Sequence, residues 1–196
     1  MSTDKQLWLL AGGNGSGKST FYRTQLQPLG MPFVNADVLA KELYPGQAEV
    51  FSYEAAKLAE QIRLQMLQDG RTFCFETVFS HPSKIDFVAR AKALNYEVIL
   101  VFVHLDCVEL NYARVEQRVE EGGHFVPPSK VSERIPRTLE NVKQALPLCD
   151  QVYFLDNSRY DHPFRQVAVI KSGVLHLKQP SLPLWLKQLV DDFLSH

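Results

Sequence analysis

The sequence predicts an α/β fold of three layers: a mainly parallel five-stranded core sheet between helices, a helical lid over about residues 112–141, and a C-terminal β-hairpin. Three features predict it. Short apolar strands alternate with stretches of helical periodicity. The run "EVILVFVHL" (97–105) has no polar alternation, as a strand covered on both faces requires. A glycine-rich turn joins the first strand directly to the first helix.

"QLWLLAGG" reads as a short buried strand ending in glycines, and "GKSTFYRTQLQPL" as the helix after it. "MPFVNAD" is a second strand leading to Asp37. Between Glu49 and Asp69 the residues Val50, Ala55, Leu58, Ala59, Ile62, Met66 and Leu67 recur at helical spacing until Gly70 stops the run. "RTFCFETVF" supplies the third strand, "SHPSKIDFVARAKALNY" a helix with Ser80 as its cap candidate, and the 97–105 run the fourth strand. "VELNYARVEQRVEEGG" is a charged helix ended by Gly122 and Gly123. "HFVPPSKVSERIPRTLENVKQALPL" is a loop and one or two helical pieces, with Pro136 marking a kink or break. "QVYFLDNS" is the fifth strand, "FRQVAVIKSGVLHLKQ" a hairpin turning at Ser172 and Gly173, and "PLWLKQLVDDFL" a closing amphipathic helix.

A length of 196 residues suits one well-buried domain, 1–196. With 45% hydrophobic and 22% charged residues the composition is that of a soluble globular protein, and no apolar run approaches the roughly 18 residues of a membrane span. The formal net charge of −1 argues against general nucleic-acid binding, so a small-molecule partner is expected. Cys74, Cys107 and Cys149 have no CxxC or Cys/His metal spacing, and buried thiols in a reducing compartment are the expectation. "MSTDKQLWLLAG" lacks the apolar length and small-residue cleavage site of a signal peptide, which predicts a cytoplasmic location.

Gly12 to Ser19, "GGNGSGKS", fit G-x-x-x-x-G-K-[ST] between a predicted strand and a predicted helix, the context that gives this motif its meaning. Glycines let the backbone curl until successive N–H groups face phosphate oxygens, and the helix starting near Lys18 adds its positive end. Binding of ATP or GTP by Gly13, Asn14, Gly15, Ser16, Gly17, Lys18, Ser19 and Thr20 follows. Lys18 is expected to reach the terminal phosphates, and the Ser19 hydroxyl to be a Mg²⁺ ligand. "GNGSGKST" is also the wording of ABC-type ATPases, but the chain has no LSGGQ-like signature, no long apolar strand ending in adjacent acids, and no NKxD motif of a GTPase.

Ligands of open α/β sheets bind beyond the carboxyl ends of the strands. Asp37 ends "FVNAD" and Glu76 ends "RTFCFE". Phosphoryl transfer needs one carboxylate to orient and deprotonate the attacking hydroxyl and another to help hold the metal. Asp37 is taken as the base, against its alternative as N-cap of "VLAKELY"; Glu76, with Thr77 beside it, is assigned to metal, substrate or both. Asp106 ends "VFVHLD" in the same way and is read as a structural helix cap. Arg114 and Arg118, four apart, share one helix face, and Arg134 and Arg137, three apart, share another. They form either a clamp over a triphosphate or solvated pairs with Glu116, Glu120, Glu121, Glu133 and Glu140. Gly122 and Gly123 between them suit the hinge of a closing lid, with His124 next to it in reach of substrate.

Together, "AGGNGSGKST", "NAD" at 35–37, "FETVFS" at 75–80 and "GGHFVPPSKVSERIPRTLEN" at 122–141 resemble the zeta-toxin family of P-loop kinases, in the compact bacterial branch often labelled ABC-type ATPase-like, over about the first three quarters of the chain. The resemblance implies an adenylate-kinase-like P-loop NTPase core, ATP with Mg²⁺, and transfer of the γ-phosphate to a hydroxyl, which in zeta toxins belongs to UDP-N-acetylglucosamine. It also implies the phosphate and metal positions for Lys18 and Ser19, the general base for Asp37, a substrate-contacting acid for Glu76, and lid arginines for Arg134 and Arg137, with Asn141 one turn beyond. Ile135 and Pro136 stand where the branch more often has a second arginine and an aromatic. If the chain is a toxin, an antitoxin protein is expected to block the ATP site.

The leading function is therefore a small-molecule kinase. The alternative is an ATP-binding regulatory module whose lid signals occupancy to a protein partner. Nucleic-acid end processing would need a basic channel, which the near-neutral charge disfavours.

Overall fold

The structure, a computed structural model, describes residues 5–121 and 125–194. Among them seven strands form one sheet: β1 (Gln6–Ala11), β2 (Phe33–Val34), β3 (Phe73–Thr77), β4 (Glu97–His104), β5 (Gln151–Asp156), β6 (Arg165–Lys171) and β7 (Val174–Leu177), in the spatial order β2-β3-β1-β4-β5-β6-β7. The first five run parallel, as expected, and the hairpin β6–β7 adds antiparallel at the β5 edge, widening the core to seven strands. Its turn holds Ser172 and Gly173 at φ 50° and 76°, the left-handed pair that a two-residue hairpin turn needs to match strand twist. Strand order reverses at β1, which lies between β3 and β4, and this reversal opens a crevice at the carboxyl ends.

Alternate strand residues feed two cores. Leu7, Leu9, Phe73, Phe75, Val98, Leu100 and Phe102 belong to the larger one, which takes in α3 (Ser52–Gln68), α4 (Ser83–Ala93), α6 (Pro128–Ala145) and α7 (Leu184–Leu194). Leu10, Cys74, Val101 and Val103 face the other way, onto Phe21, Tyr22 and Leu26. A third cluster of Val115, Val126 and Val131, with Tyr112 and Ile135, joins α5 (Val108–Glu120) to α6 in a small core of their own.

Two helix expectations failed, one for local reasons and one through tertiary contacts. The first helix, α1 (Lys18–Phe21), widens into a π-turn over Tyr22–Leu26 and tightens into a 3₁₀ turn over Gln27–Leu29. Thr24 Oγ1 donates to the Thr20 carbonyl (2.9 Å), and Pro28 has no N–H to continue the ladder. The break expected at Pro136 does not occur. Pro136 is exposed and removes one backbone bond, while Val131, Thr138, Asn141, Val142 and Ala145 are buried on either side of it and keep α6 one continuous helix.

The cap alternative for Asp37 falls away, because Asn35 caps α2 (Ala36–Leu43). Two expected caps moved. Pro82, not Ser80, precedes α4, and Cys107, not Asp106, precedes α5 with no side-chain cap bond. Val50 is exposed in the turns before α3 rather than inside a helix. Burial of the thiols holds for Cys74 and for Cys149, whose pKa it pushes up to about 12, but Cys107 is exposed. Among the described residues no helix is long and apolar enough to cross a membrane, and no group of three or more His, Cys, Asp or Glu side chains could hold a metal ion.

Candidate active site

The chain leaves β1 in a turn so close to the sheet that a Cβ on Gly12 would stand 2.1 Å from the Val103 carbonyl oxygen. Gly17 is at φ 103°, and a Cβ there would stand 2.4 Å from Asn157 Nδ2. Two buried amides tie the loop to its neighbours: Asn111 Nδ2 donates to the Asn14 carbonyl (2.6 Å) and Asn157 Nδ2 to the Ser16 carbonyl (2.8 Å). Asn157 also accepts the Phe164 N–H (3.1 Å), so the segment after β5 is fixed to the loop as well.

Lys18 is only 5% exposed; its Nζ donates to the Gly13 carbonyl (2.9 Å) and lies 3.7 Å from Glu76 Oε1. Burial pulls this ammonium below its usual pKa. Glu76 opposes the shift, Arg118 adds to it, and Asp37 opposes it. Glu76 Oε2 accepts from both Ser19 Oγ (2.6 Å) and Asn35 Nδ2 (2.9 Å). Asn35 Oδ1 in turn accepts the N–H groups of Asp37 (2.7 Å) and Val38 (3.2 Å). One carboxylate thus joins the loop, its lysine and the helix that carries Asp37.

These residues fit a nucleotide with its metal. Inside the loop the buried Ser16 hydroxyl has no hydrogen-bond partner among the described residues, and Ser19 and Glu76 present the hydroxyl and carboxylate oxygens that Mg²⁺ takes beside phosphates. The fold brings Lys18, Ser19 and Glu76 together, and the charges of Arg118 and Asp37 lie near enough to act on Lys18. Arg134 Nη1 reaches Asn14 Oδ1 (3.3 Å), and Ile135 packs beside Gly13. Arg114 Nη2 donates to the Asn157 carbonyl (2.8 Å), and burial lowers its pKa.

Arg137 is not brought in. Exposed on α6, it donates to the Glu133 carbonyl (3.1 Å) and stands 3.7 Å from that residue's carboxylate. Thr77 closes a local turn by accepting the Phe79 N–H (3.0 Å), and Thr20 is exposed on α1. His124, with the expected hinge at Gly122 and Gly123, lies outside the described residues.

Sequence reasoning missed most of the residues that hold the site's shape, and gave Asn141, named through the resemblance, no contact to make. Besides the three asparagines, α6 grips the segment after Glu76: Thr138 Oγ1 donates to the Val78 carbonyl (2.8 Å) and Asn141 Nδ2 to that of Phe79 (2.9 Å). Phe79 is fully buried at φ 63°, a conformation that bulky residues adopt only when their surroundings impose it. Thr138→Val strips the Val78 carbonyl of its donor and is expected to cost about 1–3 kcal/mol. Urea unfolding measures this, and Thr138→Ala, which also removes the donor, should unfold at lower urea than Thr138→Ser, which keeps it.

His104, at the end of β4, borders a small pocket with Gly13, Asn111, Ile135 and Thr138, and its ring lies 4.6 Å from that of Trp185. Burial lowers its pKa to about 4, against a weaker pull upward from Asp156. The folded protein keeps His104 neutral where the unfolded chain, titrating near 6.5, already binds a proton. Its contribution is therefore fully present above about pH 6.5 and is lost as pH falls towards 4, by about 3 kcal/mol in all. Denaturation midpoints measured across that range should fall, and His104→Gln should flatten the profile.

Known proteins share this fold. The chain is 29% identical over 137 residues to an uncharacterized protein of Haemophilus influenzae, covering 66% of this chain and 97% of that protein. A chain of the AvrRxo1-ORF1:AvrRxo1-ORF2 crystal structure with sulphate ions matches with a TM-score of 0.74 and 17% identity, over 91% of this chain and 62% of that one. A chain of the PezAT chromosomal toxin–antitoxin system of Streptococcus pneumoniae matches with a TM-score of 0.63 and 17% identity, over 84% and 72%. The present chain thus spans 62% of the AvrRxo1 chain it matches. The sequence model of the family described as Zeta toxin matches residues 2–162, a span that holds the glycine loop, Asp37, Glu76 and both arginine helices. The chain belongs to the zeta toxin family.

Proposed function

We propose that this protein is an ATP-dependent small-molecule kinase that transfers the γ-phosphate to an alcohol group, with UDP-N-acetylglucosamine or a related sugar nucleotide as acceptor. The observation that carries the reading is the double hydrogen bond into Glu76 Oε2 from Ser19 and Asn35, which sets the phosphate loop against the helix of Asp37. ATP lies in the loop Gly13–Thr20, where Lys18 leaves the Gly13 carbonyl for the β- and γ-phosphates. Ser19, directly, and Glu76, directly or through water, hold Mg²⁺, which supplies charge neutralisation on those phosphates.

The Asp37 carboxylate takes the proton of the acceptor hydroxyl. That oxygen forms a bond to the γ-phosphorus as the bond to the bridging oxygen breaks, and ADP leaves. Arg118 and Arg134 stabilise the charge on the transferred group, and residues of about 112–141 close over it. Because the AvrRxo1 and PezAT matches come from complexes with a second protein or from a toxin–antitoxin system, an antitoxin that covers the ATP site is proposed as a partner.

The test is ADP release from Mg-ATP with and without UDP-N-acetylglucosamine, joined to the mass of the sugar nucleotide afterwards. Stimulation with a gain of one phosphate is the expected result. ATP binding without stimulation by any hydroxyl acceptor in a screen would reject the kinase.

A further inference from the structure

The wall between α3 and α4 holds a buried cation that the proposed reaction does not use. Arg63, 7% exposed, packs its guanidinium 5.1 Å from the centre of the Phe75 ring and 5.9 Å from that of Phe87. Its Nε is buried without a hydrogen bond, and among the described residues no protein acceptor takes any of its N–H groups. Lys84, three residues before Phe87 and so on the same side of α4, is half-buried, and its ammonium has no hydrogen-bond or ion-pair partner among the described residues. Glu60, on α3, lends negative charge to both cations but is exposed and reaches neither at ion-pair distance. Burial lowers the pKa of both, and Arg63 lowers that of Lys84 further. Two aromatic faces offset only part of the cost of desolvating a guanidinium beside a second cation.

We propose that Arg63 and Lys84 form a binding site for an oxyanion, a phosphate or carboxylate group held by the planar guanidinium and closed over by the ammonium. The planar fork of arginine matches two oxygens of one such group at once. The site is distinct from the glycine loop: Phe75 and Glu76 are consecutive in β3, so their side chains leave opposite faces of the sheet, Glu76 towards the loop and Phe75 towards Arg63. The oxyanion has two candidate sources. It is either the anionic part of the acceptor, which rests on the kinase reading, or a separate small oxyanion that acts as an effector.

Inorganic phosphate is the probe, titrated with the glycine loop already filled by Mg²⁺ and a non-hydrolysable ATP analogue. The readout is the Arg63 Nε–Hε resonance, identified by its loss in Arg63→Lys. A saturable shift is expected in the wild type, with affinity for phosphate reduced about tenfold or more in Lys84→Met. Competition by UDP-N-acetylglucosamine assigns the site to the acceptor, and its absence assigns the site to an effector. A wild-type resonance that neither phosphate nor the sugar nucleotide moves, or a phosphate shift unchanged in Lys84→Met, overturns the proposal. No turnover is read, so a failed kinase assay leaves this result standing.

Discussion

Asp37→Asn lowers phosphoryl transfer by about 10²–10⁴-fold, the usual contribution of a positioned base, and leaves ATP binding intact. The structure separates the carboxylate from the helix cap. Asp37 is exposed in the first turn of α2, and the capping role belongs to Asn35, whose Oδ1 accepts the Asp37 backbone N–H at 2.7 Å. Asparagine keeps that N–H and the side-chain volume, so the helix start is unchanged and only the proton acceptor is lost. The carboxylate also helps keep Lys18 charged, but Glu76 ranks ahead of it in that effect, so the loop retains its cation. Single-turnover transfer measured beside ATP affinity separates the outcomes. A variant that binds ATP and still transfers at the wild-type rate would remove Asp37 from the mechanism.

The fold was legible because its signals are local. An unbroken apolar run marks β4, a helical period marks α3, and Ser172-Gly173 marks the hairpin turn, each within a dozen or so neighbouring residues. The glycine loop was legible for a related reason: its backbone conformation excludes side chains, so the chemistry is written directly in residue type. The supports of the loop left no such trace. Asn111 meets Asn14 across 97 positions and Asn157 meets Ser16 across 141, and Thr138 and Asn141 reach back 60 and 62 positions to the segment after Glu76.

An asparagine inside a helical pattern carries no sign of which distant carbonyl it will find. Spacing alone likewise could not separate Arg134 from Arg137. Both fit one helix face at three apart, but one reaches Asn14 and the other bonds to its own helix. Pro136 shows the opposite error, a strong local rule overridden by buried contacts on both sides of the proline.

Glu76→Gln raises the Mg²⁺ concentration for half-maximal activity by about 10–100-fold, the range seen when a group that orients a metal ligand is lost. The amide cannot reproduce the carboxylate's contacts in either orientation. With its oxygen towards Ser19 and Asn35, its NH₂ faces the Lys18 ammonium, which stands 3.7 Å from Glu76 Oε1 in the wild type. Turned round, its NH₂ meets the NH₂ of Asn35, donor against donor. Either way a buried lysine loses the charge that most strongly opposes its desolvation, so its pKa falls further and the alkaline limb of the pH–rate profile moves to lower pH. Glu76→Asp keeps the charge with a shorter reach, and should recover the alkaline limb before it recovers Mg²⁺ affinity. If instead Glu76→Gln shows wild-type Mg²⁺ dependence and an unmoved alkaline limb, the carboxylate serves only to hold Asn35 and the start of α2. Metal binding in the loop would then rest on Ser19 and the nucleotide phosphates.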